Sequence, residues 1–202
     1  MRSCRFILLV LGLLLCQSCL RTEGNTRYFV LSPQAVSRQD LSVSVKLRRL
    51  NLPRYLKRWE LLLINEDGEL HINEFTQWGE LLDEGIRRSL RYSLASNEMS
   101  RPENAKDTWQ LDMDLCSFIG NVAGEFQVLA DCRLEQGKVK KIFMLEFSVP
   151  FQVGKPEKLV RAHEEALRKI AEQIAAQIKM LTPENSDDCS LLPDQCVGQP
   201  LQ

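Results

Sequence analysis

The chain has 202 residues, 44% of them hydrophobic and 26% charged, with a formal net charge of −1. This is ordinary globular usage, enough for one domain with a short excess, and it excludes collagen-like, coiled-coil and disordered classes as well as a basic field for nucleic acid. Seven cysteines stand beside only two histidines. Two histidines leave little room for a zinc site or a histidine-based triad, and an odd cysteine count means that at least one thiol does something other than pair within the chain.

Arg2 and Arg5 form a short basic region ahead of a charge-free stretch from Phe6 to Leu20. Its dense apolar part, Phe6 to Leu15, is too short to span a bilayer comfortably, which takes about 20 apolar residues, and reads as the core of a secretory signal. The zone that follows, Cys16-Gln17-Ser18-Cys19, looks like the lipobox of a bacterial lipoprotein: a small residue directly before a cysteine that is diacylated and becomes the first residue after cleavage. Cys16 occupies the position where that pattern usually has Leu. Leu20 after the lipid cysteine, rather than Asp, resembles an outer-membrane destination. Removal of residues 1–18 leaves 184 residues and takes the net charge to −3, since Arg2 and Arg5 depart.

Residues 19–27 form a polar tether. Tyr28 to Leu31 is a short β-type run ended by Ser32-Pro33. Leu41, Val43, Val45 and Leu47 alternate with polar residues, the period of a half-buried strand. Pro53 starts a turn or a single helical turn through Leu56. Leu61 to Ile64 and Glu69 to Ile72 form a hairpin about Asp67-Gly68. A helix follows over about 80–95, with Leu82, Ile86, Leu90 and Leu94 on one stripe, Arg87, Arg88 and Arg91 off it, and Asp83 and Glu84 at its N-terminal end, where they favour the macrodipole. Three alternating strands then form a meander: Trp109–Met113, Phe126–Leu134 and Phe143–Phe151. Gly154 and Pro156 introduce a second helix, about 157–181, whose apolar stripe includes Val160, Leu167, Ile170, Ile174 and Ile178, with alanines permitting close approach; Thr182-Pro183 stops it. The tail, 183–202, has no periodicity and is expected to be disordered apart from what its cysteines impose. The sum is one domain, residues 28–182, of α/β (α+β) class: a mixed, largely antiparallel sheet of about six strands packed by two main helices.

Motifs for catalysis are missing. There is no Gly-rich phosphate loop, GxSxG or HExxH; His163-Glu164-Glu165 lacks a second histidine at i+4. Asp112 and Asp114 share a strand face, and alternation makes them its solvent side. No enzyme activity, cofactor or metal is expected. Cys4 and Cys16 leave with the signal and Cys19 takes lipid, so Cys116, Cys132, Cys189 and Cys196 remain. An exported compartment permits disulfides, and four cysteines allow three connectivities. Cys116 and Cys132 lie on consecutive antiparallel strands, and a bulge near Leu115 would turn Cys116 onto the core face beside Cys132. The expected pairs are 116–132 and a tail loop 189–196; the alternative is two buried free thiols and a loose tail pair.

Taken together, these residues resemble the ABC-transport auxiliary lipoproteins, the family of paraquat-inducible protein C. The resemblance begins at Tyr28-Phe29-Val30-Leu31-Ser32-Pro33. It continues at Leu52-Pro53-Arg54-Tyr55-Leu56-Lys57-Arg58 and is densest from Glu74 to Gly85, through Thr76-Gln77-Trp78-Gly79-Glu80-Leu81-Leu82-Asp83. Family members tend to carry aromatic residues near the places of Cys116 and Cys132, and their joint replacement by cysteine agrees with a bridge. The resemblance implies a fold similar to the N-terminal domain of a periplasmic Tol-system protein. It implies a non-enzymatic lipoprotein on the periplasmic face of the outer membrane, an auxiliary subunit of a transporter built on mammalian-cell-entry-domain proteins that moves lipid between inner and outer membranes. A homo-oligomer is compatible with that role, and the second reading is a structural lipoprotein of another envelope assembly machine. Trp78, Leu82 and Asp83 are expected as structural residues of the helix entrance; Pro53, Tyr55 and Trp78 are candidates for a partner-binding rim, where aromatics concentrate binding energy.

Overall fold

The computed structural model describes residues 25–33, 39, 41, 43–95 and 108–182. The expected signal, Cys19 and the cysteine tail lie outside these. Seven strands form a single sheet: β1 (Arg27–Phe29), β2 (Val45–Asn51), β3 (Glu60–Ile64), β4 (Leu70–Trp78), β5 (Trp109–Asn121), β6 (Glu125–Gln136) and β7 (Val139–Pro150). The helices are α1 (Leu82–Ser93) and α2 (Pro156–Leu181), and a single 3₁₀ turn spans Arg54–Leu56.

The sheet runs β1-β4-β3-β5-β6-β7, with β2 also on β5. The meander β5–β6–β7 and the hairpin β3–β4 are antiparallel. β1 on β4, β2 on β5 and β3 on β5 are parallel. The edge of β5 away from β6 is divided: β2 pairs with Trp109 to Asp114, and β3 with Gly120 and Asn121. The α/β architecture is as the sequence predicts, with one strand more than the expected six.

Alternation explains which side of the long strands is covered. Phe126, Val128, Ala130, Cys132 and Leu134 of β6 are all buried, as are Trp109, Leu111, Met113 and Leu115 of β5. Against this face lie α1, through Leu82, Ile86 and Leu90, and α2, through Ala166, Leu167, Ile170 and Ile174. Small side chains at Ala162, Ala166, Ala171 and Ala175 are buried with them.

Two boundaries differ from the periodicity reading. The second strand lies at Val45–Asn51 rather than 41–47. Arg48 is an extra residue in its ladder, so Leu47 and Leu50 both reach the core. β4 runs to Trp78 and α1 begins only at Leu82, so Thr76 to Trp78 are strand and not the approach to a helix. β1 supplies the reason: Arg27, Tyr28 and Phe29 pair with Thr76, Gln77 and Trp78, a contact between distant segments to which local periodicity is blind.

One polar side chain sits at the middle of this core. His163 on α2 is 4% exposed. Its Nδ1–H donates to the carbonyl of Leu159 at 2.8 Å. The ring meets Phe126, Trp78 and Phe118 at centroid distances of 4.3, 5.0 and 5.4 Å. Burial pushes its pKa down from 6.5 to about 4, against a smaller opposing effect of the Leu159 carbonyl, so the ring is neutral in the fold. The unfolded chain therefore binds the extra proton first. The stabilisation is complete above pH 6.5 and is lost as pH falls from there through the folded value, amounting to roughly 3 kcal/mol at about 1.4 kcal/mol per unit. Urea unfolding at pH 7 and pH 4 should show a loss of this size in the native chain that His163→Phe largely removes.

Candidate functional site

At one end of the sheet the hairpin β3–β4 and the junction of β7 with α2 enclose a cleft of about 180 Å³. Its walls are Leu61 and Leu63 of β3, Ile72 of β4, Phe151 just past β7, and Leu159 in the first turns of α2. His71, Asn73 and Lys155, all exposed, stand at the mouth. Two glycines allow the walls to close in. Gly124, in the β5–β6 turn at φ +92°, leaves no room for a Cβ, which would lie 2.7 Å from the carbonyl oxygen of Phe151. The Phe151 N–H in turn donates to the Gly124 carbonyl at 2.7 Å, and this holds the aromatic ring in place. Gly120 is the floor: a Cβ there would meet Leu159 at 2.8 Å, Phe151 at 2.9 Å and Leu63 at 3.0 Å.

The first described segment of the chain arrives beside this cleft. Arg27 pairs in register with Thr76, a cleft residue, and forms an ion pair with Glu157 in the first turn of α2. From there the chain is held by a clasp. The Gly79 N–H donates to the Phe29 carbonyl at 2.6 Å, Arg88 donates to the Leu31 carbonyl at 2.7 Å, and Ser32 N–H donates to a carboxylate oxygen of Glu164 at 3.0 Å. Arg88 also pairs with Glu80. Leu31, 1% exposed, lies on Gly85, where a Cβ would come within 3.2 Å of its Cδ1. Arg88 is thus a clasp residue, although the stripe pattern assigns it to a solvated ridge. The segments 28–33 and 74–85, read from the sequence as separate pieces of one resemblance, are packed on each other.

The family model for the ABC-type transport auxiliary lipoprotein component matches residues 29–175, from β1 almost to the end of α2. The chain belongs to that family. Among curated proteins none matches. Two solved structures share the family member's fold. One is an uncharacterised protein with a TM-score of 0.61 at 16% identity, covering 76% of this chain and 99% of the other. The second is a Xanthomonas campestris protein of family DUF330 with a TM-score of 0.56 at 13% identity, covering 77% and 100%. Among the described residues no helix is long and apolar enough to cross a membrane.

The residues singled out from the sequence do not gather at one place. Trp78 is 3% exposed, edge-on to His163, so it is a core residue and not part of a partner-facing rim. Leu82 is buried and, with Trp78 and His163, lines one small void; Asp83 lies in the first turn of α1. Pro53 precedes the 3₁₀ turn and is half-buried. Tyr55 is half-buried, and burial pushes the pKa of its hydroxyl up.

The expected 116–132 disulfide is not formed: both thiols are free. The bulge is there, between Leu115 and Ser117, but Cys116 is itself the extra residue. Leu115 keeps the core side, Phe118 resumes it, and Cys116 turns outward, 3.8 Å from a carboxylate oxygen of Asp131. Asp131 and Cys132 are consecutive on β6 and point to opposite faces, while the partner directly across from Cys132 is Met113. Cys189 and Cys196 lie outside the described residues.

The solvent-face reading of Asp112 needs a correction too. Its side chain is 6% exposed, covered by the guanidinium of Arg48. Arg48 Nε donates to Asp112 Oδ1 at 2.8 Å, a second nitrogen pairs with Oδ2, and Glu135 joins at 2.9 Å. The hydrogen bonds from Arg48 hold the Asp112 carboxyl below its usual range. Arg49 and Asn51 take Asp114. The pair is therefore a structural fastening of β2 to β5. The signal that could have found it is the basic set Lys46, Arg48 and Arg49 in the strand that pairs with acidic Asp112 and Asp114.

Trp78→Ala should cost about 3–5 kcal/mol in urea unfolding, the usual range for emptying a buried aromatic site, whereas Tyr55→Ala costs less because half its ring already faces water. In the reduced native protein a maleimide should modify Cys116 and spare Cys132 until denaturant is added. Burial and the neighbouring Asp131 push the Cys116 thiol up, so its labelling rate rises with pH beyond neutrality. The Cys132 thiol is pushed up to about 12 by burial.

Proposed function

We propose that this protein is an outer-membrane lipoprotein, attached through lipid on Cys19 and facing the periplasm, that serves as auxiliary subunit of a mammalian-cell-entry-type ABC system moving lipid between the two membranes. The observation that carries the reading is the family match across residues 29–175, joined to the apolar stretch Phe6 to Leu15 and the Ser18-Cys19 step ahead of it. Diacylation supports stable attachment, since two chains hold where one holds only marginally. Leu20 after the lipid cysteine supports the outer membrane. In this role the domain works by attachment, docking onto its partner while the ATPase and permease of the system supply energy and passage.

Cross-linking in intact membranes followed by identification of the captured protein tests the partner. A mammalian-cell-entry-domain protein is the expected product; reproducible capture of a lipopolysaccharide- or outer-membrane-protein-assembly component in its place would overturn the assignment. Mass spectrometry of the mature N-terminus should find a diacylated Cys19, and an unmodified thiol there would remove the anchor.

A further inference from the structure

We propose that the cleft between β3–β4 and the start of α2 takes the upper part of one acyl chain of a membrane lipid, the carbons nearest the head, with the lipid's anionic head at Lys155. The position of the membrane in this inference rests on the lipoprotein reading above.

The cleft has the right chemistry and size. Its walls, Leu61, Leu63, Ile72, Phe151 and Leu159, are hydrocarbon; of its polar residues, His71, Asn73 and Lys155 are exposed and Thr76 is buried. The space of about 180 Å³ compares with cavities of about 150 Å³ lined by Leu, Ile and Phe, which stay dry and hold benzene. That is room for the six or so carbons next to the head of one chain, and too little for two. At the mouth, Lys155 stands at the N-cap of α2, where the helix dipole adds to its charge. The carboxylate nearest in sequence, Glu157, is ion-paired with Arg27 and also feels the charge of Lys155, and Lys155 itself is exposed at the mouth.

The cleft also lies where a bilayer would be. Arg27 is the register partner of cleft residue Thr76, and it follows Cys19 by eight residues. Even fully extended, eight residues reach only about 27 Å. Chain length therefore limits the lipid attachment point to that distance from Arg27, the register partner of a cleft residue. Tyr28, Trp59 and Phe75, which are 67%, 50% and 50% exposed, surround the β1–β4 pair at this end. Tyr28 is in β1, Phe75 is in β4, and the Trp59 carbonyl accepts the Trp78 N–H at 2.5 Å. Exposed aromatic rings of this kind favour the interfacial region of a bilayer. The occupant is a free membrane lipid and not the protein's own anchor: drawing one of the two diacyl chains on Cys19 into the cleft would leave a single chain in the bilayer, which binds only marginally.

The test uses a twelve-carbon fatty acid carrying a diazirine at its sixth carbon, photolysed with the full lipidated chain in phospholipid nanodiscs and with the full chain bearing Cys19→Ser in buffer. Cross-linked peptides are mapped by mass spectrometry. Both forms should be labelled at 61–63, at Ile72 and within 151–159. Asn73→Trp, which plugs the mouth from an exposed position, should cut labelling at least tenfold; Ile142→Trp on β7 should leave it unchanged. Lys155→Glu should reduce it severalfold, and thermal unfolding at the native midpoint verifies that each variant is folded. Should Asn73→Trp fold poorly, Lys155→Glu and the map of labelled peptides still decide. Labelling confined to the exposed surfaces of Tyr28, Trp59 and Phe75 would overturn the proposal, as would labelling seen only in the Cys19→Ser form, which would make the protein's own anchor the occupant. The N-terminal mass reports the anchor separately, so an unlipidated Cys19 refutes that reading without touching the cleft map.

Discussion

The structure depends on β5 being paired along both edges at once. Its thirteen residues lie against β6 on one side, and on the other they are shared by β2 at the beginning and β3 at the end. Neither of these shorter strands would fill that edge alone. Between them β5 carries its bulge, and the bulge resets which side chains face the helices: Leu115 and Phe118 are both core residues although they are three apart. Were Cys116 paired as a regular ladder residue and not bulged out, Phe118 would point away from His163 and Phe126, and the aromatic cluster that seats α2 would lose one of its members. The same reset brings Gly120 to the end of the strand on the side of α2, where its lack of a side chain lets three hydrocarbon walls meet.

Local patterning reveals the elements whose pairing is with neighbours in sequence. The meander β5–β6–β7 follows its alternation, and both helices follow their stripes to within two residues of the expected ends. What the pattern misses is set by distant partners. Thr76 to Trp78 are strand because β1, nearly fifty residues earlier, supplies hydrogen-bonding partners. Arg48 folds over Asp112 because β2 and β5 are parallel neighbours, and no period-2 rule distinguishes a solvated aspartate from one beneath a guanidinium. The bulge in β5 is foreseen from the switch in apolar parity, but its position is not: one residue decides whether Cys116 faces Cys132 or the opposite side. The cleft is invisible in sequence because its walls come from four separate segments, each of which reads as ordinary half-buried strand or helix.

The resemblance in sequence and the packing in three dimensions explain one another. The residues from Tyr28 to Pro33 and from Glu74 to Gly85 form one clasp, in which backbone carbonyls of Phe29 and Leu31 are claimed by Gly79 and Arg88. A small residue at Gly85 and a buried side chain at Leu31 follow from that contact. The motif therefore describes how the first described segment of the chain is fixed to the domain, through hydrogen bonds to its backbone as well as through the burial of Leu31.

α2 also sets a distance. Its first turn is tied to Arg27 through Glu157, and it continues for 26 residues. At 1.5 Å per residue the helix is about 39 Å long. The chain thus comes into the domain at one end of this rod and leaves it at Thr182 at the other. Whatever follows Thr182 therefore starts out about 39 Å from the Arg27–Glu157 joint, at the opposite end of the rod.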